Sequence, residues 1–230
     1  MKMEMENALI IFLKYPEPGK VKTRLAVDIG NVKACAIYKL LAERIIKNIF
    51  SKNPLTHDAH IFFTPPDKEN GIKDWLQPIL ANNQEIGTKY SHQEGNTLGE
   101  KMSYAFKQTL QIEGCKRCII IGTDCPEIDA PLIESAFDIL KEKDIVIGPC
   151  KDGGYYLLGM SRFLPELFED IDWSTDRVFK QTMGKVHKNN LSCNVLKTLA
   201  DIDTQEDLSY HLSKVAQAGS SLQLEPEHFA

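Results

Sequence analysis

Short unbroken apolar runs alternate along this chain with longer stretches in which apolar and polar positions recur at a helical period. Residues 8–13 (A-L-I-I-F-L) contain no polar interruption, the mark of a strand covered on both faces. Over residues 32–50, Ile37, Leu41 and Ile45 share one stripe while Lys33, Lys39, Glu43 and Lys47 fall elsewhere, which predicts an amphipathic helix. Residues 60–64 read as a second strand closed by Pro65 and Pro66. A short helix interrupted by Pro78 is predicted over 72–80, and a stronger one over 98–110. Residues 118–121 form another buried-strand run, ending at Gly122. After Pro131 the pattern predicts a helix to about Lys141, with proline well placed in its first turn. Strands follow at 145–147 and 155–158, then helices at 175–183 and 204–215. The last of these has Thr204 and Asp207 at the spacing of a capping box. Strands alternating with helices predict an α/β fold, a mostly parallel central sheet flanked by helices on both faces. Such folds place their chemistry beyond the carboxyl ends of the strands.

A chain of 230 residues, 43% hydrophobic, can bury a sizeable core without a metal or disulfide staple. No linker or repeat divides it, so a single domain is expected over residues 1–218, with a polar tail at 219–230. Net charge is −5 and no long basic run is present, which argues against a nucleic-acid partner. No apolar stretch approaches the roughly 18 residues of a membrane span, and the 8–13 run is too short for a signal-peptide core. A cytoplasmic protein is expected, and its oligomeric state is left open. Of the six cysteines, Cys115 and Cys118 form a C-x-x-C without a second such pair or a matched histidine pair. They read as reduced structural thiols rather than as a metal or redox centre. His57-x-x-His60 reads as surface decoration.

Candidate chemistry gathers where predicted strands end. The first strand runs into Lys14-Tyr15-Pro16-Glu17-Pro18-Gly19-Lys20-Val21-Lys22-Thr23-Arg24-Leu25, a stiff basic loop. Lys22 and Arg24 suit phosphate oxygens, and Gly19 lets backbone approach a ligand. This is neither a Walker A nor a dinucleotide-binding glycine motif. In Gly122-Thr123-Asp124-Cys125-Pro126, Asp124 stands just past a buried strand, where a carboxylate holds Mg²⁺ or caps a helix. Asp152-Gly153-Gly154-Tyr155-Tyr156 carries a carboxylate on a tight loop, for which a hairpin turn is the simpler reading. Asp201 and Asp203 fall on one side of an extended segment, to join Asp124 in a site or to cap the final helix. A basic loop, a metal-type aspartate and further carboxylates, each at a strand exit, suit transfer from a nucleotide diphosphate.

These motifs carry a resemblance. The segment from Phe12 to Leu25 resembles the opening signature of a bacterial glycosyltransferase family, some of whose members are associated with arsenosugar biosynthesis. The 122–126 motif, residues 148–159, Trp173-Ser174-Thr175, and Asp201-Ile202-Asp203-Thr204 with Glu206-Asp207-Leu208 resemble its later signatures in order. The resemblance implies the GT-A, or nucleotide-diphospho-sugar transferase, fold and a nucleotide-sugar donor. It implies nucleotide and phosphate binding by Lys14, Gly19, Lys22, Thr23 and Arg24, and a divalent metal, Mg²⁺ or Mn²⁺, on Asp124 and Asp203. Asp152 would be the general base, with Gly153, Gly154, Tyr155 and Trp173 on the acceptor side. Thr97 and Lys101 depart from the aspartate and arginine usual in the family, and are expected to alter donor or acceptor contacts. The leading expectation is metal-dependent glycosyl transfer to an acceptor the sequence does not identify. The alternatives are a guanylyltransferase-like nucleotidyl transfer from a nucleoside triphosphate, and a non-catalytic nucleotide-binding protein.

Overall fold

The computed structural model describes residues 6–51, 57–80 and 88–217. The tail expected at 219–230 lies outside them. Seven strands form one sheet: β1 (Asn7–Lys14), β2 (Asp58–Thr64), β3 (Lys89–His92), β4 (Arg117–Ile121), β5 (Ile145–Pro149), β6 (Tyr155–Met160) and β7 (Cys193–Val195). Their order across the sheet is β3-β2-β1-β4-β6-β5-β7. β6 alone runs against the others, antiparallel to both β4 and β5, so the sheet is mostly parallel as the alternation predicts.

The continuous apolar runs are explained by two-sided cover. Leu9, Ile11 and Leu13 of β1, with Ile119 and Ile121 of β4, face a core shared with the helices α2 (Asn31–Ile49), α3 (Glu69–Leu80) and α5 (Ala130–Ile139). Ala8 and Ile10, with Cys118 and Ile120, face the opposite core, built with α4 (Leu98–Lys107) and α6 (Val178–Lys188). The period of two therefore persists inside runs that look uniform in sequence. Among the described residues two further α-helices are α1 (Thr23–Ile29) and α7 (Gln205–Gln217).

Several expectations are corrected. The basic segment is not loop throughout, because Thr23, Arg24 and Leu25 open α1, where Leu25 is wholly buried. α6 begins at Val178 rather than at residue 175: Ser174 has φ 64°, and Thr175 Oγ1 donates to Asp172 O at 2.7 Å, closing a turn before the helix. The predicted 98–110 helix changes character at Gln108, where a π-helical turn (Gln108–Ile112) begins. His57 and His60 are buried, 2% and 1% exposed, so the reading as surface decoration fails. His57 packs against Phe137 in a tilted pair with ring centroids 5.4 Å apart. Burial pulls its pKa down to about 4. Among the described residues no helix is long and apolar enough to cross a membrane.

Candidate active site

The carboxyl ends of β1, β2, β4 and β5 share one edge of the sheet, where a cleft of about 400 Å³ opens. Its entrance is built from β1 outward. Lys14 ends the strand, and its peptide is clamped by Tyr38 of α2: the phenol accepts from Lys14 N–H at 2.8 Å and donates to Lys14 C=O at 3.0 Å. The chain then turns through Gly19, with φ 79°, and is pinned by Val21, which is buried beside Cys35 and Tyr38. Lys22 follows in the left-handed conformation, φ 47° and ψ 46°, immediately before α1. For a residue with a Cβ this costs about 1–2 kcal/mol.

That backbone turn places the Lys22 ammonium inside the cleft. Its Nζ bonds to an oxygen of Asp124 and, at 2.9 Å, to Asp203 Oδ1, with the side chain only 3% exposed. Burial pulls the ammonium's pKa down, but Asp124 and Asp203 together outweigh it and hold it above the ordinary lysine value. Asp124 and Asp203 are 79 residues apart in number, yet one backbone bond joins their segments: Ile202 N–H donates to Asp124 O at 3.1 Å. Ile202 itself is buried against Leu25 and Leu41. Helix capping does not consume Asp203. Thr204 and Asp207 form the reciprocal cap of α7, with Asp207 N–H to Thr204 Oγ1 at 3.2 Å and Thr204 N–H to Asp207 Oδ2 at 2.8 Å.

The structure thus brings together Lys22, Asp124 and Asp203, with Arg24 Nη1 at 3.9 Å from Asp203 Oδ2. Lys14, Thr23, Arg24 and Tyr155 also line the cleft. Lys22 departs from its expected place: the cation assigned to phosphate is spent on the two carboxylates assigned to metal. Gly19 stands outside the cleft lining, nearest the side chain of Asn31.

A second carboxylate pair lies beside the first. Asp152, Asp201 and Cys150 each place one ligand-type atom within 4.8 Å of the others. Asp201 therefore meets Asp152, while Asp203 meets Lys22, although one extended segment carries both. Among the described residues neither Asp152 nor Asp201 forms an ion pair. Burial first, and the Asp152 carboxylate second, push the half-buried Asp201 up to about 6. Asp152 is exposed and its Oδ1 accepts the N–H of Gly154 at 2.8 Å, fixing the β5–β6 hairpin.

The hairpin's glycines serve packing as much as access. A Cβ on Gly153, whose φ is 89°, would sit 2.1 Å from the backbone of Asp176, and Gly153 C=O accepts from Phe179 N–H at 2.8 Å. Trp173, expected on the acceptor side, is drawn into the core and does not line the cleft. It stacks on Phe168 at 6.3 Å and lies over Gly99, where a Cβ would come within 2.2 Å of the indole. Thr97 is the N-cap of α4, accepting from Glu100 N–H at 3.2 Å, a role aspartate fills equally well.

Sequence reasoning missed Tyr38 and Gln93. Gln93 follows β3 and donates through Nε2 to Phe62 O at 3.0 Å, lining the cleft wall. Its strand, K-Y-S-H, has the polar composition of a sheet edge and gives no apolar signal. A lone tyrosine on a helical stripe likewise reads only as core.

A solved structure of a proposed nucleotide-diphospho-sugar transferase from Desulfovibrio desulfuricans G20 matches with a TM-score of 0.83 and 33% identity, over 93% of this chain and 88% of that one. A 4-diphosphocytidyl-2C-methyl-D-erythritol synthase from Anaerococcus prevotii DSM 20548 matches at TM-score 0.57 and 12% identity, over 92% and 97% of the two chains. A Mycobacterium tuberculosis H37Rv protein crystallised with manganese matches at 0.51 and 11%, over 92% and 100%. The last two share the fold alone, which is that of the nucleotide-diphospho-sugar transferases. No curated protein matches by sequence. A family model described as "uncharacterized protein conserved in bacteria (DUF2064)" matches residues 52–175. With over half its length matched to that model and a third of its positions identical to the D. desulfuricans protein, the chain belongs to the DUF2064 family.

Proposed function

We propose that this protein transfers a sugar from a nucleotide-sugar donor to a hydroxyl acceptor, assisted by a divalent ion, Mg²⁺ or Mn²⁺. One observation carries the reading: Asp124 and Asp203 aim oxygens at a single cationic point in a cleft rimmed by Lys14 and Arg24. Two carboxylates on one point are a donor set that fits a hard divalent ion, which takes oxygen ligands. When bound, such an ion neutralises charge on the leaving diphosphate. The fold, and the similarity to a proposed nucleotide-diphospho-sugar transferase, support the donor class.

The chain's own residues supply the rest. Arg24, 70% exposed, and Lys14 at the end of β1 hold diphosphate oxygens, Arg24 with a forked contact. Lys22 provides the positive charge at the aspartate pair in the ligand-free protein. Its transfer from the carboxylates to the phosphates accompanies donor binding. Asp152 orients and deprotonates the acceptor hydroxyl, whose oxygen bonds to the anomeric carbon as the carbon–oxygen bond to the diphosphate breaks. Nucleotidyl transfer from a nucleoside triphosphate is the second reading, favoured by the fold shared with the diphosphocytidyl synthase.

Thermal unfolding with nucleoside diphosphates, triphosphates and nucleotide sugars, each with and without Mn²⁺, tests the reading, because a ligand that binds only the folded state raises the melting temperature. Stabilisation by a diphosphate or its sugar conjugate is expected only with the metal, and is lost in Asp124→Asn. Stabilisation by triphosphates alone, with pyrophosphate release, replaces glycosyl by nucleotidyl transfer.

A further inference from the structure

Cys125 and Cys150 take no part in the reaction above, yet their sulfurs lie 3.5 Å apart, and the Cys150 sulfur is within 4.8 Å of a carboxylate oxygen of both Asp152 and Asp201. Cys125 directly follows Asp124 in the turn after β4 and is buried. Cys150 follows β5, two residues before Asp152, and is partly exposed. The strand between β4 and β5 is β6, so the two thiols meet across its start, at Tyr155 and Tyr156. Both are free thiols. A disulfide needs its sulfurs about 2.05 Å apart, so bond formation asks for a closure of about 1.5 Å. Both backbones are tied: Cys150 bridges Leu199 and its N–H donates to Gly154 O at 3.0 Å, while Ile202 N–H donates to Asp124 O beside Cys125.

The surroundings assign the order of events. Cys125 is 1% exposed, so solvent and a dissolved oxidant do not reach it directly. Cys150, which solvent reaches, is the thiol that meets an oxidant first.

We propose that Cys125 and Cys150 are a reversible dithiol–disulfide pair, oxidised by small disulfides, and that the bond closes the site by tying the Asp124 turn to the Asp152 loop. In the first step the Cys150 thiolate attacks one sulfur of the oxidant RSSR. The protein–SR mixed disulfide forms, and RS⁻ leaves and takes up the proton Cys150 had given. In the second, Cys125 loses its proton and its sulfur attacks Cys150 Sγ, expelling the second RS⁻, which is protonated in turn. One RSSR becomes two RSH, and the protein gives up two electrons and two protons. The formation of the bond is independent of the functional reading; its effect on the site rests on that reading.

The test uses the full chain incubated with oxidised glutathione. Intact mass is expected to fall by about 2 Da, without a retained glutathione adduct. Thiols titrated in denaturant are expected to fall from six to four, and a peptide map to link Cys125 with Cys150. Cys125→Ser and Cys150→Ser each fail to form the link. Binding of a nucleoside diphosphate with Mn²⁺, followed by calorimetry, is expected to weaken at least about tenfold on oxidation, equal to about 1.4 kcal/mol, and to recover with dithiothreitol. Cys150→Ser binds as the reduced protein does, with or without oxidant. A lasting glutathione adduct on Cys150, a link between other cysteines, or six titratable thiols after treatment overturns the pair. A Cys125–Cys150 bond with unchanged nucleotide affinity overturns its control of the site. A bond in a protein whose reduced form binds no nucleotide refutes the function proposed above and leaves the dithiol standing.

Discussion

Two carboxylate pairs sit side by side at the same sheet edge and are treated oppositely by the fold. Asp124 and Asp203 share the buried Lys22 ammonium, with Arg24 near. Asp152 and Asp201, with Cys150 beside them, have no cation paired to them among the described residues. The first pair is held in place by its lysine, whose pKa the aspartates raise. The second is frustrated, and Asp201 is pushed up to about 6 by burial and by its neighbour. The difference teaches that proximity of carboxylates does not define a role. What matters is which charges the fold supplies in return, and where none is supplied Asp201 is left able to exchange a proton near neutrality.

The largest test removes the compensated pair's function. Asp124→Asn is expected to lower transfer by about 100-fold or more while the protein stays folded, because charge stabilisation at the leaving group is lost. Asp152→Asn should fall comparably in turnover, but with donor binding intact by calorimetry. Equal loss of donor binding in both variants would erase the distinction between the pairs.

Acid titration sharpens it. His57 has a folded pKa lowered to about 4 against an unfolded value of 6.5, so its contribution to stability is complete above pH 6.5 and is lost as pH falls towards 4. Linkage puts that loss at about 3 kcal/mol. Asp201 acts with the opposite sign. Its folded pKa is raised from 3.8 to about 6, so its favourable contribution is complete below 3.8 and is lost as pH rises through 6. Because Asp201 is only half-buried, solvent screening reduces the corresponding cost to about 1 kcal/mol at pH 7. Urea unfolding from pH 4 to 8 should therefore show Asp201→Asn as the more stable protein at pH 7, with the gap closing near pH 4. A destabilised Asp201→Asn at pH 7 would mean that the second pair is compensated after all.

The smallest effect concerns how the first pair is presented. Thr204→Ala removes half of the reciprocal cap of α7 and is expected to cost about 1 kcal/mol in unfolding free energy. Metal-dependent donor binding should weaken with it, since Asp203 enters α7 through that cap. Unchanged binding would show that the Ile202–Asp124 backbone bond positions Asp203 unaided.

Much of the fold was legible because the buried strands are nearly free of polar residues. Residues 8–13 and 118–121 could be nothing but interior, and α2 announced itself through Ile37, Leu41 and Ile45. The two short strands, β3 and β7, were not legible, because K-Y-S-H and C-N-V lie at the sheet edges and need no apolar face. Asp124, Asp203, Lys22 and Arg24 were found by their place after strands or before a helix. Their mutual arrangement was hidden, since it depends on the left-handed backbone at Lys22 and on a bond between residues 124 and 202. A lysine gives no sequence signal for that backbone. Cys125 and Cys150 escaped for the same reason: 25 residues separate them, and only the strand order brings them together.

That strand order also sets when the chain can fold as it leaves the ribosome. β5 pairs only with β6 and β7, both of which come later in sequence, and β4 keeps one edge open until β6 closes it. When Pro149 has been synthesised, two buried-type strands still present unpaired backbone and bare isoleucines. Such edges recruit other chains. The antiparallel hairpin that carries Asp152 closes β4 and one edge of β5 at Met160, and the other edge of β5 stays open to aggregation until β7 is made.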